Sequence, residues 1–213
     1  FLLLAYLESA GYAERSMKKD PFAQFCAVLE RYTFVVEKIG RILEGVTHGL
    51  GKAEALTGDA RKMDLPNSSI DGIIFSPPYS FAIDYLANDS FHLNHLGVDT
   101  DVLRENMVGL RGETSKEKYE FYKIDMDAVL SECARVLRPG KFCCVIVGTN
   151  NNQLSKVLGV SPDQVQGIDE LMIALGDSHN LKCVRKLSRQ IVGMGNTMRN
   201  EYIVILQKAS GSE

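Results

Sequence analysis

Residues 71–80 read DGIIFSPPYS. Ile73, Ile74 and Phe75 form an apolar run without polar alternation, as expected of a strand in a parallel sheet covered on both faces. Two adjacent prolines then end it. Each proline fixes its own φ and removes an amide donor, and each pushes its predecessor into an extended conformation. The loop 76–79 is therefore stiff and presents carbonyl oxygens with few N–H groups. At average usage a Pro-Pro pair arises by chance in about every second chain of this size, so the pair alone means only a loop. Ser76 before it and Tyr79 after it, at the end of a buried strand, make chance roughly a hundredfold less favoured.

The flanks extend this reading. Upstream, EALTGDA (54–60) is expected as a short strand entering a turn, and LPNSSID (65–71) as a polar loop. Downstream, 114–137 reads as a long helix. Thr114 and Glu117 have capping-box spacing, and Met126, Val129, Leu130, Cys133 and Val136 form an apolar stripe. RPGK ends that helix, FCCVIVG is a second apolar strand, and GIDELMIALGDSHN is a further helix. LKCVRKLSRQIV and EYIVILQK are two strands joined across the turn GMGNTMRN. The order is that of an α/β sheet, mainly parallel, with a terminal antiparallel hairpin.

The first fifty residues differ. FLLLAYLESAGY is apolar, too short to span a bilayer and without a basic flank, and reads as a buried helix. Asp20 and Pro21 suit the cap and first position of a second helix, which HGLGK is expected to stop. The organisation expected is a helical segment over 1–53 packing on a core over 54–208, with a disordered tail at 209–213.

The 213 residues carry a formal net charge of −3, which removes a composition argument for nucleic acid but leaves room for a local basic groove. Five cysteines with no C-x-x-C spacing fit a reducing cytoplasm, and no membrane segment is expected. Cys143 and Cys144 are strand neighbours and should face opposite sides. His92 and His95 beside Asp84 and Asp89 lack a second ligand pair at a recognised spacing, so no metal is expected. Arg104, Arg111, Lys116 and Lys118 are either phosphate contacts or a solvated helix face. Tyr119, Phe121 and Tyr122 read as core, with one of them free to flank a ligand pocket instead, and Asp84 and Tyr85 either line a pocket or cap a helix.

Ligands of open α/β sheets bind beyond the carboxyl ends of strands, where Ser76–Tyr79 fall. A rigid loop of acceptors suits a ligand that donates two hydrogens, an –NH2 group, and Tyr79 adds a face for stacking. SPPY resembles the fourth motif of the amino-methyltransferases, which use S-adenosylmethionine to methylate amines on nucleic-acid bases. GDARKMDLPNSSIDGIIFSPPY is similar to their third and fourth motifs in succession. LSECARVLRPGKFCCVIV resembles the helix, turn and fifth strand of Rossmann-like methyltransferases in general, and SPPYSFAIDYLANDSFHLNHLG resembles a group of bacterial and archaeal DNA methylases. The resemblance covers about 54–208.

It implies a Rossmann-like sheet and S-adenosylmethionine as cofactor. It places Asp59, Ala60 and Phe75 on the cofactor side, with Asp59 accepting from the adenine amine. It places Ser76, Pro77, Pro78 and Tyr79 at the target. Ser76 and the Pro77 carbonyl would accept the two amine hydrogens and aim the nitrogen lone pair at the sulfonium methyl, while Tyr79 stacks on a base swung from the duplex. Serine in the first position leans toward cytosine over adenine. DNA stands ahead of RNA as partner.

One element of the pattern is missing: an acidic residue, an aromatic and a glycine-rich turn after a first strand. DPFAQF has no glycine, GLGK follows a helix, and GMGN lies between two strands. With no initiator methionine either, the chain reads as the C-terminal portion of an enzyme whose cofactor loop lies upstream or on a second subunit. The rivals are a degenerate, non-catalytic partner that binds nucleic acid, and a methyltransferase of RNA bases or protein glutamine amides.

Overall fold

A computed structural model describes all residues except 16–19, 47–48, 50, 79–83, 191–199 and 211–213, and the side chains of 14 and 15. The chain divides into two compact units, Phe1–Leu56 with Tyr85–Thr100, and Thr57–Asp84 with Asp101–Glu213.

The first unit begins with α1 (Leu2–Arg15) and α2 (Pro21–Leu43). Asp20 caps α2 as its sequence predicts, its carboxylate accepting from the Ala23 amide at 2.7 Å, with Pro21 at the first helical position. The helix ends at Leu43, before the glycines of HGLGK, part of which lies outside the described residues. Glu8 of α1 accepts from Arg31 and from the Tyr32 hydroxyl of α2, which fixes the pairing of the two helices. The expectation of a buried first helix is corrected. Leu2, Leu3 and Leu4 are exposed, and of the described side chains of α1 only Ala5, Ser9 and Gly11 are buried. A helix pair covers one stripe on each member, and the remaining apolar residues stay at the surface. Two short helices, α3 (Tyr85–Asn88) and α4 (Ser90–His95), complete this unit. His92 donates from Nε2 to the Leu7 carbonyl at 2.6 Å, and a side chain at Gly11 would collide with its ring. His95 stacks against Tyr6.

The second unit holds a sheet of four strands in the order β1-β2-β4-β3: β1 (Ile70–Phe75), β2 (Leu137–Gly148), β3 (Leu181–Gln190) and β4 (Asn200–Lys208). β1 and β2 are parallel, with Phe75 opposite Val145. β4 enters antiparallel between β2 and β3, giving the terminal antiparallel hairpin. Its turn, GMGNTMRN, lies almost wholly outside the described residues. The parallel part is a single pair among the described residues. A strand over 54–60 does not form. Leu56 is 73% exposed, and the only pairing nearby is an isolated bridge between Asp59 and Lys62. A strand needs a hydrogen-bonded neighbour, and none is present along this stretch among the described residues.

The helix α6 (Ser115–Val136) follows its sequence signals closely. Thr114 and Glu117 form the reciprocal capping box, and Met126, Val129, Leu130, Cys133 and Val136 are all buried. Together with α8 (Ile168–Ser178) it covers the sheet face that carries Cys143, Val145, Val204 and Leu206. Cys143 is fully buried and its neighbour Cys144 is not, as strand alternation requires. Two further helices lie where no helix is expected, α5 (Thr100–Asn106) and α7 (Asn151–Leu158). The latter starts on an Asn150 cap accepting from the Gln153 amide at 3.1 Å and stops at Gly159, whose φ of 68° suits glycine. Among the described residues, no helix is long and apolar enough to cross a membrane.

Candidate active site

Parallel pairing puts the end of β1 beside the end of β2, so the residues after Phe75 lie at the carboxyl end of the sheet. Phe75 itself is half-buried against the core. Ser76 is exposed, and its hydroxyl donates to the Ile146 carbonyl of β2 at 3.1 Å. That bond ties the loop to the neighbouring strand. Pro77 is buried and Pro78 half-buried, so the loop is held by packing as well as by its restricted φ angles. Tyr79 lies outside the described residues.

Asp59 and Ala60 precede β1 in an exposed turn. Asp59 is not open to solvent alone: it accepts from the Arg61 amide at 2.9 Å and from the Arg61 guanidinium at 2.8 Å. These bonds, the side-chain one foremost, hold its carboxyl below the usual range. Arg61 also reaches Asp125 of α6 at 2.9 Å and the Asn106 carbonyl at 3.1 Å. Asp125 is buried and takes a second guanidinium, that of Arg111, at 2.7 Å, while Arg111 lies over the Phe121 ring. The second oxygen of Asp125 and the Nε of Arg111 are buried with no partner among the described residues. The arrangement fixes the turn that carries Asp59 against the first half of α6.

The segment between this turn and β1 is clamped one step further along. Glu132 accepts from the Met63 amide at 2.7 Å, and Arg135 donates to the Met63 carbonyl at 2.9 Å and the Leu65 carbonyl at 2.7 Å. Glu132 is bonded to Arg135 at the same time, and chiefly that bond pulls its carboxyl down to about 2. Arg135 is the arginine of the R-V-L-x-P-G stretch, so the residue that carries the resemblance also sets the path into β1.

Of the cations considered for phosphate, Arg104 is bonded to Asp84 at 2.8 Å and Arg111 to Asp125, so both are already matched by carboxylates. Asp84 thereby takes an ion pair. Tyr119 and Tyr122 are core residues, whereas Phe121 is partly exposed beneath Arg111. Sequence reasoning missed Arg61, Asp125 and Arg135. Arg61 has a local signal in its place two residues after an aspartate that can accept its amide, and Arg135 has one in Glu132 three residues before it on the same helix, whereas Asp125 has none.

No protein-family model matches the chain, and no curated protein matches it. Solved structures show likeness at low identity. A protein of Thermus thermophilus described as a DNA modification methylase is 19% identical, with a TM-score of 0.43, over 73% of this chain and 53% of that one. The same protein complexed with S-adenosyl-L-methionine gives 18% and 0.42 over 73% and 53%. A SAM-dependent methyltransferase from Methanosarcina mazei is 12% identical, with a TM-score of 0.46, over 78% of this chain and 71% of that one. The chain thus spans about half the length of the Thermus protein.

Proposed function

We propose that this chain carries the target-amine half of an S-adenosylmethionine-dependent methyltransferase acting on the exocyclic amine of a nucleic-acid base, DNA ahead of RNA. The observation that supports this reading is the Ser76-Pro77-Pro78 loop at the carboxyl end of a parallel strand. It is stiff, short of amide donors, and tied to β2 by the Ser76 hydroxyl. An aromatic amine is a poor nucleophile because its lone pair is delocalised into the ring. Acceptors placed on its two hydrogens favour a pyramidal nitrogen and direct the lone pair at the methyl group. This is catalysis by orientation and electrostatics. Tyr79 stacks on the base, and Asp59, Ala60 and Phe75 serve the cofactor. Asp59 does so as a carboxylate, which Arg61 keeps ionised.

The cofactor's methionine end is held by a second α/β segment that carries a glycine-rich turn and pairs with β1. Support for this comes from the outer edge of β1, which has no strand partner among the described residues, and from Ile74, which is 78% exposed on the less covered face of the same strand and offers such a segment apolar surface to cover. On this account the 213-residue chain alone binds S-adenosylmethionine weakly or not at all, and calorimetry showing micromolar binding overturns that division of labour.

The function is tested by methyl transfer from labelled S-adenosylmethionine to DNA duplex, RNA and protein by the complete enzyme. The reading expects an N-methylated base in DNA. It also expects Tyr79→Ala to raise the nucleic-acid KM, since a stacking contact contributes roughly 1–3 kcal/mol, with Phe restoring most of it. Label in protein alone, or in no acceptor, contradicts it.

A further inference from the structure

At the carboxyl end of the sheet, the start of α6 faces α7 across a groove of about 410 Å³ whose walls include Ser115, Lys116, Gln153 and Lys156. A second hollow of about 370 Å³ continues it past Asn150 and Asn152, sharing Gln153 and Lys156. Among the described residues, no carboxylate lines either part. The nearest acid in the sequence, Glu117, is spent on the Glu113 and Thr114 amides.

Many cations of the same unit are matched by a carboxylate, whereas Lys62, Lys118 and Arg185, like the two lysines of this groove, form no ion pair among the described residues. Lys123, Lys141, Lys182 and Lys186 each meet a carboxylate, as do Arg104, Arg111, Arg135 and Arg138. Lys116 and Lys156 are exposed, and neither has a carboxylate partner among the described residues. In a chain of net charge −3, two ammonium groups without a carboxylate partner among the described residues, set on one acid-free groove whose wall also includes Val157, mark a place for an external anion. Amide side chains from Asn150, Asn152 and Gln153 add neutral donors to the same walls.

Position narrows the anion. Ser76 is bonded to Ile146, and Asn150 stands four residues further along the chain, at most about 14 Å away by chain reach. A nucleic-acid strand advances about 3.4 Å per nucleotide, so a strand with a base at Ser76 meets the groove within a few nucleotides. We infer that the Lys116–Lys156 groove binds the phosphodiester backbone of the nucleic acid whose base reaches the Ser76 loop. This rests on the reading of the loop as a base-amine site. Phosphate contacts of this kind set register and affinity and carry no sequence information.

The test is binding of a short fluorescein-labelled DNA duplex to the full chain by anisotropy, across a salt series, without cofactor. The wild type should bind with salt-dependent affinity. Lys116→Gln with Lys156→Gln should lower the slope of log K against log salt by about 2, one for each lost phosphate contact, and weaken binding at low salt by roughly tenfold or more. Lys116→Glu with Lys156→Glu should weaken it further. The control, Lys123→Gln with Lys182→Gln, should leave the slope unchanged. Equal melting temperatures exclude unfolding as the cause. A wild-type slope in both groove variants overturns the groove and leaves the methyltransferase reading standing. Absence of any duplex binding by the wild type overturns both. Lysine-dependent binding by an enzyme that transfers no methyl group to nucleic acid supports the groove and removes the reading of Ser76.

Discussion

The two faces of the one sheet have the same apolar chemistry and opposite surroundings. On one face Cys143, Val145, Val204 and Leu206 are wholly buried under α6 and α8. On the other, Ile74 lies opposite Cys144 and Cys144 opposite Ile205; Cys144 and Ile205 are half-buried, while Ile74 is 78% and Phe142 46% exposed. Unbroken runs such as GIIFS and FCCVIVG announce strands built for cover on both sides. Only one cover is present among the described residues. The lesson is that a strand's sequence states what its faces need, and the structure states which of those needs this chain meets by itself.

Breaking the covered face should produce the largest effect. Leu130→Ala removes a fully buried side chain from the centre of α6 and should cost about 2–5 kcal/mol in urea unfolding. A cost below about 1 kcal/mol would mean that the two faces do not differ in the way described.

The clamp beside that face comes next. Glu132→Gln should cost about 1.5–3 kcal/mol near neutral pH, because it weakens the bonds to Arg135 and the Met63 amide. The folded-state carboxyl lies at about 2, below its ordinary 4.5. A depressed acid stabilises the fold above its unfolded value and loses that contribution as pH falls through the folded one. The gap between wild type and Glu132→Gln should therefore be full above about pH 4.5 and shrink toward pH 2. A gap that stays constant over that window would assign the loss to packing instead.

The open face should give the smallest effect on stability. Phe142→Ser should change unfolding by no more than about 0.5 kcal/mol, since the side chain is already half in water. A large loss of stability in the chain alone would show that this face is part of the core.

Much of the covered half was legible in the residues. The Thr114/Glu117 box, the stripe from Met126 to Val136 and the two apolar strands each follow a local rule, and local rules survive into the fold. Asp20 and the helix it caps were legible for the same reason. The stretch 54–60 was not, because its composition allows a strand and composition does not say whether a neighbour exists. The short α7 has little periodicity in its eight residues, and only Asn150 and Gly159 mark its ends. In the candidate site the proline pair and Ser76 were read from their order alone. The hold on Asp59 was not, because it runs through Asp125, which lies 64 residues from Arg61 and carries no signal near the turn.

The most direct test of the central claim is steady-state methyl transfer to a DNA duplex by the complete enzyme, with Ser76 compared to Ser76→Ala. The amine's hydrogens are gripped hardest as its nitrogen becomes pyramidal, so the interaction belongs to the transition state. The account predicts a kcat lower by roughly 10- to 100-fold, equivalent to about 1.5–3 kcal/mol, with KM for DNA little changed. Wild-type kcat in Ser76→Ala would contradict it and leave the proline pair as a turn that ends a strand.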